Sequence, residues 1–226
     1  QETLPDLESE SVFHLNDIKA LSANQVWIAG GVFPSSEAAL LKTLDGVSWA
    51  LTFRKGADAD PFASMTEFNR LSVVDTQNAW VGATNGFTAF STNGGSAWSR
   101  EANACTPTTL GGPPMHIYSV KAVDSTNVWM TGWISDQLSG SIWHRPYSGN
   151  CDAWAWYPYR LEYQTGYSNM YGIDAVDANT AWAVYSGNSN GILRTTDGGA
   201  SWASFASSTG ALRDVVAISA NDAWVV

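Results

Sequence analysis

The chain has 226 residues, enough to bury a sizeable core, and it is 45% apolar with 20 glycines, which suits many short strands joined by tight turns. Its formal net charge is −10, with 11 Lys and Arg against 21 Asp and Glu. That balance excludes nucleic acid and anionic membrane surfaces as partners, because both recruit Lys and Arg. No apolar run approaches the roughly 20 residues that cross a bilayer as a helix, so no direct membrane insertion is expected.

Residues 1–11 are acidic and unpatterned, with Glu2, Asp6, Glu8 and Glu10, and read as a tail or a closing strand. Gln1 reads as a processed or trimmed terminus. From residue 12 to 226 the pattern repeats, near 12–55, 69–103, 116–160, 171–206 and 212–226. The first repeat predicts strands at 17–21, 26–30, 39–43 and 49–54, paired as an antiparallel meander because the connections are short. A linker follows Lys55. The second predicts strands near 69–75, 79–82, 87–91 and 98–102, then a proline-rich surface loop. The third predicts strands near 117–124, 128–134 and 141–144, followed by a degenerate turn and an aromatic run. The fourth is the cleanest. The fifth holds two strands and stops at Val226, so the chain reads as part of a larger repeat array.

Two turn motifs carry this period. One reads Thr195-Thr196-Asp197-Gly198-Gly199-Ala200-Ser201-Trp202, with near copies at Ser91-Thr92-Asn93-Gly94-Gly95-Ser96-Ala97-Trp98 and, one residue shorter, Thr43-Leu44-Asp45-Gly46-Val47-Ser48-Trp49. Asp or Asn accepts bonds from the turn's own backbone amides, and Gly takes positive φ without steric cost. The other is an apolar run, an Asp- or Ser-led turn with Asn, and a Trp. It ends at Trp27, Trp80, Trp129, Trp182 and Trp224, every 42 to 53 residues. A period near 40–50 with several strands in each is the mark of a propeller or array, whose faces are buried by stacking.

The Thr-x-Asp-Gly-Gly-x-Ser-Trp turn resembles the Asp-box, or bacterial neuraminidase repeat. Its structural positions would be Asp45, Trp49, Asn93, Trp98, Asp197 and Trp202. Together with the second motif it resembles propellers of the photosystem II assembly factor type, and the Asp-box signature is shared by sialidases, xyloglucanases and sortilin. The resemblance implies an all-β propeller of four-stranded antiparallel blades, with four recognisable blades and part of a fifth. It is specific for fold and says little of function, which has to come from a site.

Sialidase chemistry would require converging arginines with a Tyr and Glu pair. The seven arginines are Arg54, Arg70, Arg100, Arg145, Arg160, Arg194 and Arg213. Arg54, Arg100 and Arg194 fall beside outer turns, which argues against convergence. Glycoside hydrolysis requires two carboxylates, and Asp17, Asp174 and Asp214 fall at or near the starts of first strands. They are the alternative catalytic set, with turn capping as their ordinary role. Assembly factors of the resembling type imply a basic patch, which this acidic chain departs from. His14, His116 and His144 have no paired spacing for a metal, and no cofactor is expected.

Cys105 and Cys151 lack metal-type spacing. With few charges and abundant Trp, Ser, Thr and Asn they read as an extracytoplasmic disulfide, closing a loop of about 47 residues and stabilising by roughly 4 kcal/mol. The chain would then be secreted, periplasmic or at the cell surface. The aromatic residues outside the repeat register are Trp133, Trp143, Trp156, Tyr157, Tyr159, Tyr163 and Tyr167. Such rings suit sugar faces or protein hot spots, with packing between repeats as the plainer reading. The expected function is therefore a non-enzymatic binding or scaffolding module for a protein or glycan. The alternatives are a fragment of a carbohydrate-active enzyme and an accessory subunit of a larger assembly.

Overall fold

Short apolar runs separated by Asp, Asn and Gly turns form antiparallel strands throughout the described part of the chain. The computed structural model describes residues 12–54, 66–86, 88–100, 115–134, 139–145, 155–157, 168–206 and 210–226. The chain divides into two compact units, Gln1–Glu101 and Ala102–Val226.

The first unit holds two four-stranded meanders. One is β1 (Val12–Ala20), β2 (Val26–Phe33), β3 (Glu37–Thr43) and β4 (Trp49–Arg54). The other is β5 (Phe68–Val73), β6 (Ala79–Ala83), β7 (Thr88–Ser91) and β8 (Ser99–Arg100), with a 3-10 turn at Thr84–Gly86. The second unit holds β9 (Met115–Ala122), β10 (Val128–Ile134), β11 (Ser139–Arg145) and β12 (Ala155–Tyr157) in one sheet. A second sheet contains β13 (Ser168–Ala175), β14 (Ala181–Gly187), β15 (Gly191–Thr195) and β16 (Ala203–Ala206). β17 (Val215–Ala217) and β18 (Ala223–Val225) form a two-stranded sheet. Within each sheet every strand pairs with the next in sequence, as short connections favour.

Two differences from the expected strands have one physical cause each. β1 begins at Val12 rather than residue 17, because a bulge at Asn16 lets pairing with β2 continue beyond it. β12 was not expected, because its residues follow a degenerate turn; it pairs Trp156 with Trp143 and Tyr157 with Ile142.

The turns explain the repeat. Between first and second strands, one acceptor binds the amides two and three residues ahead. Asp75 Oδ1 accepts from Gln77 and Asn78, Asp124 Oδ1 from Thr126 and Asn127, and Asp177 Oδ1 from Asn179 and Thr180, all at 2.7–2.8 Å. Ser22 and Ser219 do the same through a hydroxyl at 3.1–3.3 Å. Between third and fourth strands, Asp45 Oδ1 accepts from the amides of Val47 and Ser48, Asn93 Oδ1 from Ala97, and Asp197 Oδ1 from Ser201, at 2.7–2.9 Å. These bonds hold the Asp45 and Asp197 carboxyls well below the usual range. Asp45 is lowered first by the Ser48 amide, and Asp197 by the Ser201 hydroxyl, to about 2.

Within each unit the sheets bury their faces on one another. In the first, Trp27, Leu40, Phe53, Phe68, Leu71 and Val81 form one cluster, against which Trp98 packs. In the second, Trp129, Ile142, Met170, Ile173, Tyr185 and Leu193 form another, and Trp182, Val184, Leu212 and Val215 a third. Each fully buried large side chain contributes about 1.5–3 kcal/mol of transfer free energy.

The sheets are also locked to each other by a repeated device. A residue on the third strand lies over the second-strand Trp and bonds to a backbone carbonyl of the next repeat's turn. Lys42 sits 4.3 Å from the Trp27 ring and donates to Gly94 at 2.9 Å. Arg194 lies over Trp182 and donates to Ala220 at 3.3 Å. His144 stacks on Trp129 and meets Gly198 at 3.1 Å. The Gly pair in the turn makes this approach possible. Gly95 has φ of 85°, and a Cβ there would lie 2.6 Å from Trp27.

Candidate functional site

The first strand of every four-stranded sheet carries a bulge at one repeat position. The residues that the strand register skips are Asn16 in β1, Asn69 in β5, Tyr118 in β9 and Tyr171 in β13. Each stands eleven residues before the recurrent Trp, and in the fifth repeat the same offset falls on Arg213. An extra residue in a strand re-aims its side chain out of the alternating pattern, and bulges are common beside functional sites. Gly30 and Gly132 face these bulges so closely, against the carbonyls of His14 and His116, that no Cβ would fit.

In the first unit the bulge at Asn16 is used structurally. Its amide donates to Glu67 at 2.7 Å and to the Phe68 carbonyl at 2.8 Å. In the second unit the bulge residues build a surface. Tyr118 and Tyr171 lie 5.3 Å apart between ring centroids. His116 lies 6.3 Å from Tyr118 and 6.1 Å from Trp133. The Arg213 guanidinium lies 4.2 Å from the Tyr171 ring. The four rings are half-buried and Arg213 is exposed. Asn169 donates to the Tyr171 hydroxyl at 3.0 Å and so fixes that ring. Burial, and then the neighbouring Tyr171, push the Tyr118 phenol up, so it stays a neutral hydroxyl. The result is a line of ring surfaces ending in a cation.

The expected aromatic residues divide. Trp133 belongs to this line. Trp143 does not offer a surface: it is 1% exposed, because β11 is buried on both faces from Gly140 to Arg145. Trp156 and Tyr157 are placed in β12 by their backbone. Tyr159, Tyr163 and Tyr167 lie outside the described residues, as do Cys105 and Cys151. His116, Tyr118, Tyr171 and Arg213 were absent from the expected set. The constant offset from the recurrent Trp was the sequence signal that could have found three of them.

The candidate carboxylates are engaged by the backbone. Asp17 accepts from the Ile18 and Leu71 amides at 2.9 Å, with Lys19 at 3.4 Å. Asp174 accepts from the Ala175 and Ala217 amides at 2.9 Å and pairs with Lys121 at 2.6 Å. Asp214 accepts from Val215 at 2.9 Å. Asp17 and Asp174 thus each accept from their own strand through Oδ1 and from the first strand of the next sheet through Oδ2. Arg54 pairs with Glu37 at 2.7 Å, and Arg194 bonds to Ala220 and Asn221. Among the described residues, no three His, Cys, Asp or Glu side chains are grouped to hold a metal ion.

Four-stranded meanders, stacked through recurrent Trp residues and exposing a line of first-strand side chains, define a propeller-like repeat protein. Solved structures agree with that fold. YCF48 from Cyanidioschyzon merolae superposes with a TM-score of 0.64 at 19% identity, over 97% of this chain and 66% of that one. YCF48 bound to a D1 peptide gives 0.56 at 17% identity, over 95% of this chain and 62% of that one. A Dyadobacter fermentans protein of unknown function gives 0.56 at 12% identity, over 97% and 78%. The chain thus spans somewhat under two thirds of the length of these YCF48 chains. No family model matches the sequence, and no curated protein matches it significantly.

Proposed function

We propose that the chain is a non-catalytic recognition module that binds an extended segment of a partner protein along the line Trp133–His116–Tyr118–Tyr171. The sheets are read as blades of an Asp-box propeller, acting outside the cytoplasm as an accessory to assembly of a larger complex. The observation that carries this reading is the run of half-buried rings built around two first-strand bulge residues, Tyr118 and Tyr171. Exposed aromatic side chains supply large contact area at little entropy cost, which is why they dominate protein hot spots. The YCF48 structure with a D1 peptide supports a peptide over a glycan as ligand. The engagement of Asp17 and Asp174 with backbone amides supports binding over hydrolysis.

The test is panning of the immobilised chain against a random library of unstructured peptides, with a beech xylan and xyloglucan panel beside it. Enrichment that disappears with Tyr118→Ala plus Tyr171→Ala is the expected result. No peptide enrichment, or polysaccharide turnover that Asp174→Asn abolishes, sinks the reading.

A further inference from the structure

Internal repetition separates what the fold needs from what a ligand reads. At the Trp position the residue is the same in all five repeats, and the turn acceptors vary only among Asp, Asn and Ser. At the bulge position the geometry recurs while the residue changes: Asn16, Asn69, Tyr118, Tyr171 and, by offset, Arg213. A constant frame with a changing side chain is what a readout position requires.

Resting on the binding function given above, we propose that the segment read by Tyr118 and Tyr171 is basic, presenting Arg or Lys side chains at alternate positions to the ring faces of the second unit. Three observations carry this. First, the protein places cations on rings as its own lock, with Lys42 over Trp27 at 4.3 Å and Arg194 over Trp182 at 5.5 Å. Second, the line itself already shows the preference. Arg213 is exposed, lies 4.2 Å from Tyr171 and forms no ion pair among the described residues, so the ring holds it by stacking. Tyr118 and Trp133 offer the same kind of surface, with no cation on them among the described residues. Third, the net charge of −10 draws a basic segment toward the chain and repels an acidic one.

Spacing agrees. Alternate side chains of an extended strand recur at about 6.6 Å. The rings are 5.3 to 6.3 Å apart. A guanidinium over a Tyr or Trp face gains most when water is excluded, and a ring already half-buried leaves less water for the bound segment to displace. Arg213 is then a resident competitor for the Tyr171 face.

Calorimetric titration of the full chain with (Arg-Gly)5, (Glu-Gly)5 and (Ser-Gly)5 tests the idea. The basic peptide is expected to bind, more weakly at 500 mM salt than at 50 mM, and the other two are not. Tyr118→Ala and Tyr171→Ala should each weaken binding about tenfold, the weight of a stacked anchor. Phe205→Ala, an exposed ring outside the line, should leave it unchanged. Arg213→Ala should tighten binding by freeing the Tyr171 face. Preference for the acidic peptide, or a loss of affinity in Arg213→Ala, overturns the proposal, because Arg213 would then be a carboxylate anchor. Basic-peptide binding that survives both Tyr substitutions also overturns it, as diffuse charge attraction. If library panning enriches acidic or neutral peptides through the same tyrosines, the binding function stands and the basic ligand falls.

Discussion

The imidazole of His144 lies flat on the indole of Trp129, 3.6 Å between ring centroids and 3° between planes. Its Nδ1 sits 3.1 Å from the Gly198 carbonyl, so that nitrogen carries the proton, and its buried Nε2 has no partner among the described residues. Lys42 and Arg194 make the equivalent contact as cations. Here a neutral ring does so, joining the sheet of Tyr118 to the sheet of Tyr171.

That substitution predicts an acid-sensitive junction. Burial pushes the His144 pKa down, against the smaller opposing pull of the Gly198 carbonyl. The nearby charges do not rescue a second proton. Lys121, cross-strand from Trp129, is held by Asp174, and Arg145 is itself a cation. Asp197, in the Gly198 turn, is taken by Ser201 and Thr195. The unfolded chain protonates His144 first as pH falls through about 6.5, so stability is full above that pH and declines below it. The urea midpoint of the full chain should be lower at pH 5.5 than at pH 7.5. His144→Gln should narrow the gap; an equal gap in the variant removes His144 as its cause.

The turn beneath Trp27 gives a sharper mutational contrast. Gly95 combines φ of 85° with a Cβ site 2.6 Å from Trp27 Cη2 and 2.8 Å from Cζ3. Ala there incurs both backbone strain and overpacking, at about 2 kcal/mol. Gly210 has nothing within 4 Å of its Cβ site. Gly210→Ala should therefore stay within about 0.5 kcal/mol of the parent in chemical denaturation. Equal effects at the two glycines would refute the Trp27 contact as the reason for the Gly pair.

Asp197 should tolerate Asn and not Ala. Asn93 fills the equivalent position and accepts from Ala97 with its amide oxygen at 2.9 Å, as Asp197 accepts from Ser201. Asp197→Asn keeps that bond; Asp197→Ala leaves the Ser201 amide and the Thr195 hydroxyl without their acceptor. Thermal unfolding should show a clearly lower midpoint for Ala than for Asn. The carboxyl titrates near 2 when folded and near 3.9 when unfolded. Its stabilisation is therefore present above about pH 4 and lost as pH falls toward 2. The Asn variant should lack that part of the acid dependence.

How much of this was legible depends on how far apart the interacting residues are. The turns were readable because Asp45 or Asp197 and the amides it binds lie within four residues of one another. The strand pairs followed from short connections. The bulges were not readable as such, because an unpaired Tyr118 exists only relative to β10, where Thr131 faces Ser119 and Gly132 faces Ile117. That is why Asp17 was expected near a strand start. The sheet-to-sheet lock was hidden too, since Lys42 reaches Gly94 across 52 residues.

The recurrent Trp residues, alike in sequence context, should differ widely in energy. Trp27 is completely buried, with Trp98 edge-on at 6.1 Å and Lys42 above it. Trp224, cross-strand from Val216, is 74% exposed. Truncating a buried Trp costs about 3–5 kcal/mol, whereas an exposed one costs about 0.5 kcal/mol or less. Trp27→Ala should lose most of the stability of the first unit. Trp27→Phe, which keeps an aromatic ring under Lys42, should fall between it and the parent. Trp224→Ala should leave the urea transition nearly unmoved while removing the indole that is most exposed among the described residues, and with it part of the iodide quenching. A large destabilisation in Trp224→Ala would mean that its ring is covered in solution, and would send the search for its cover to the Val216, Ile218 and Trp224 face.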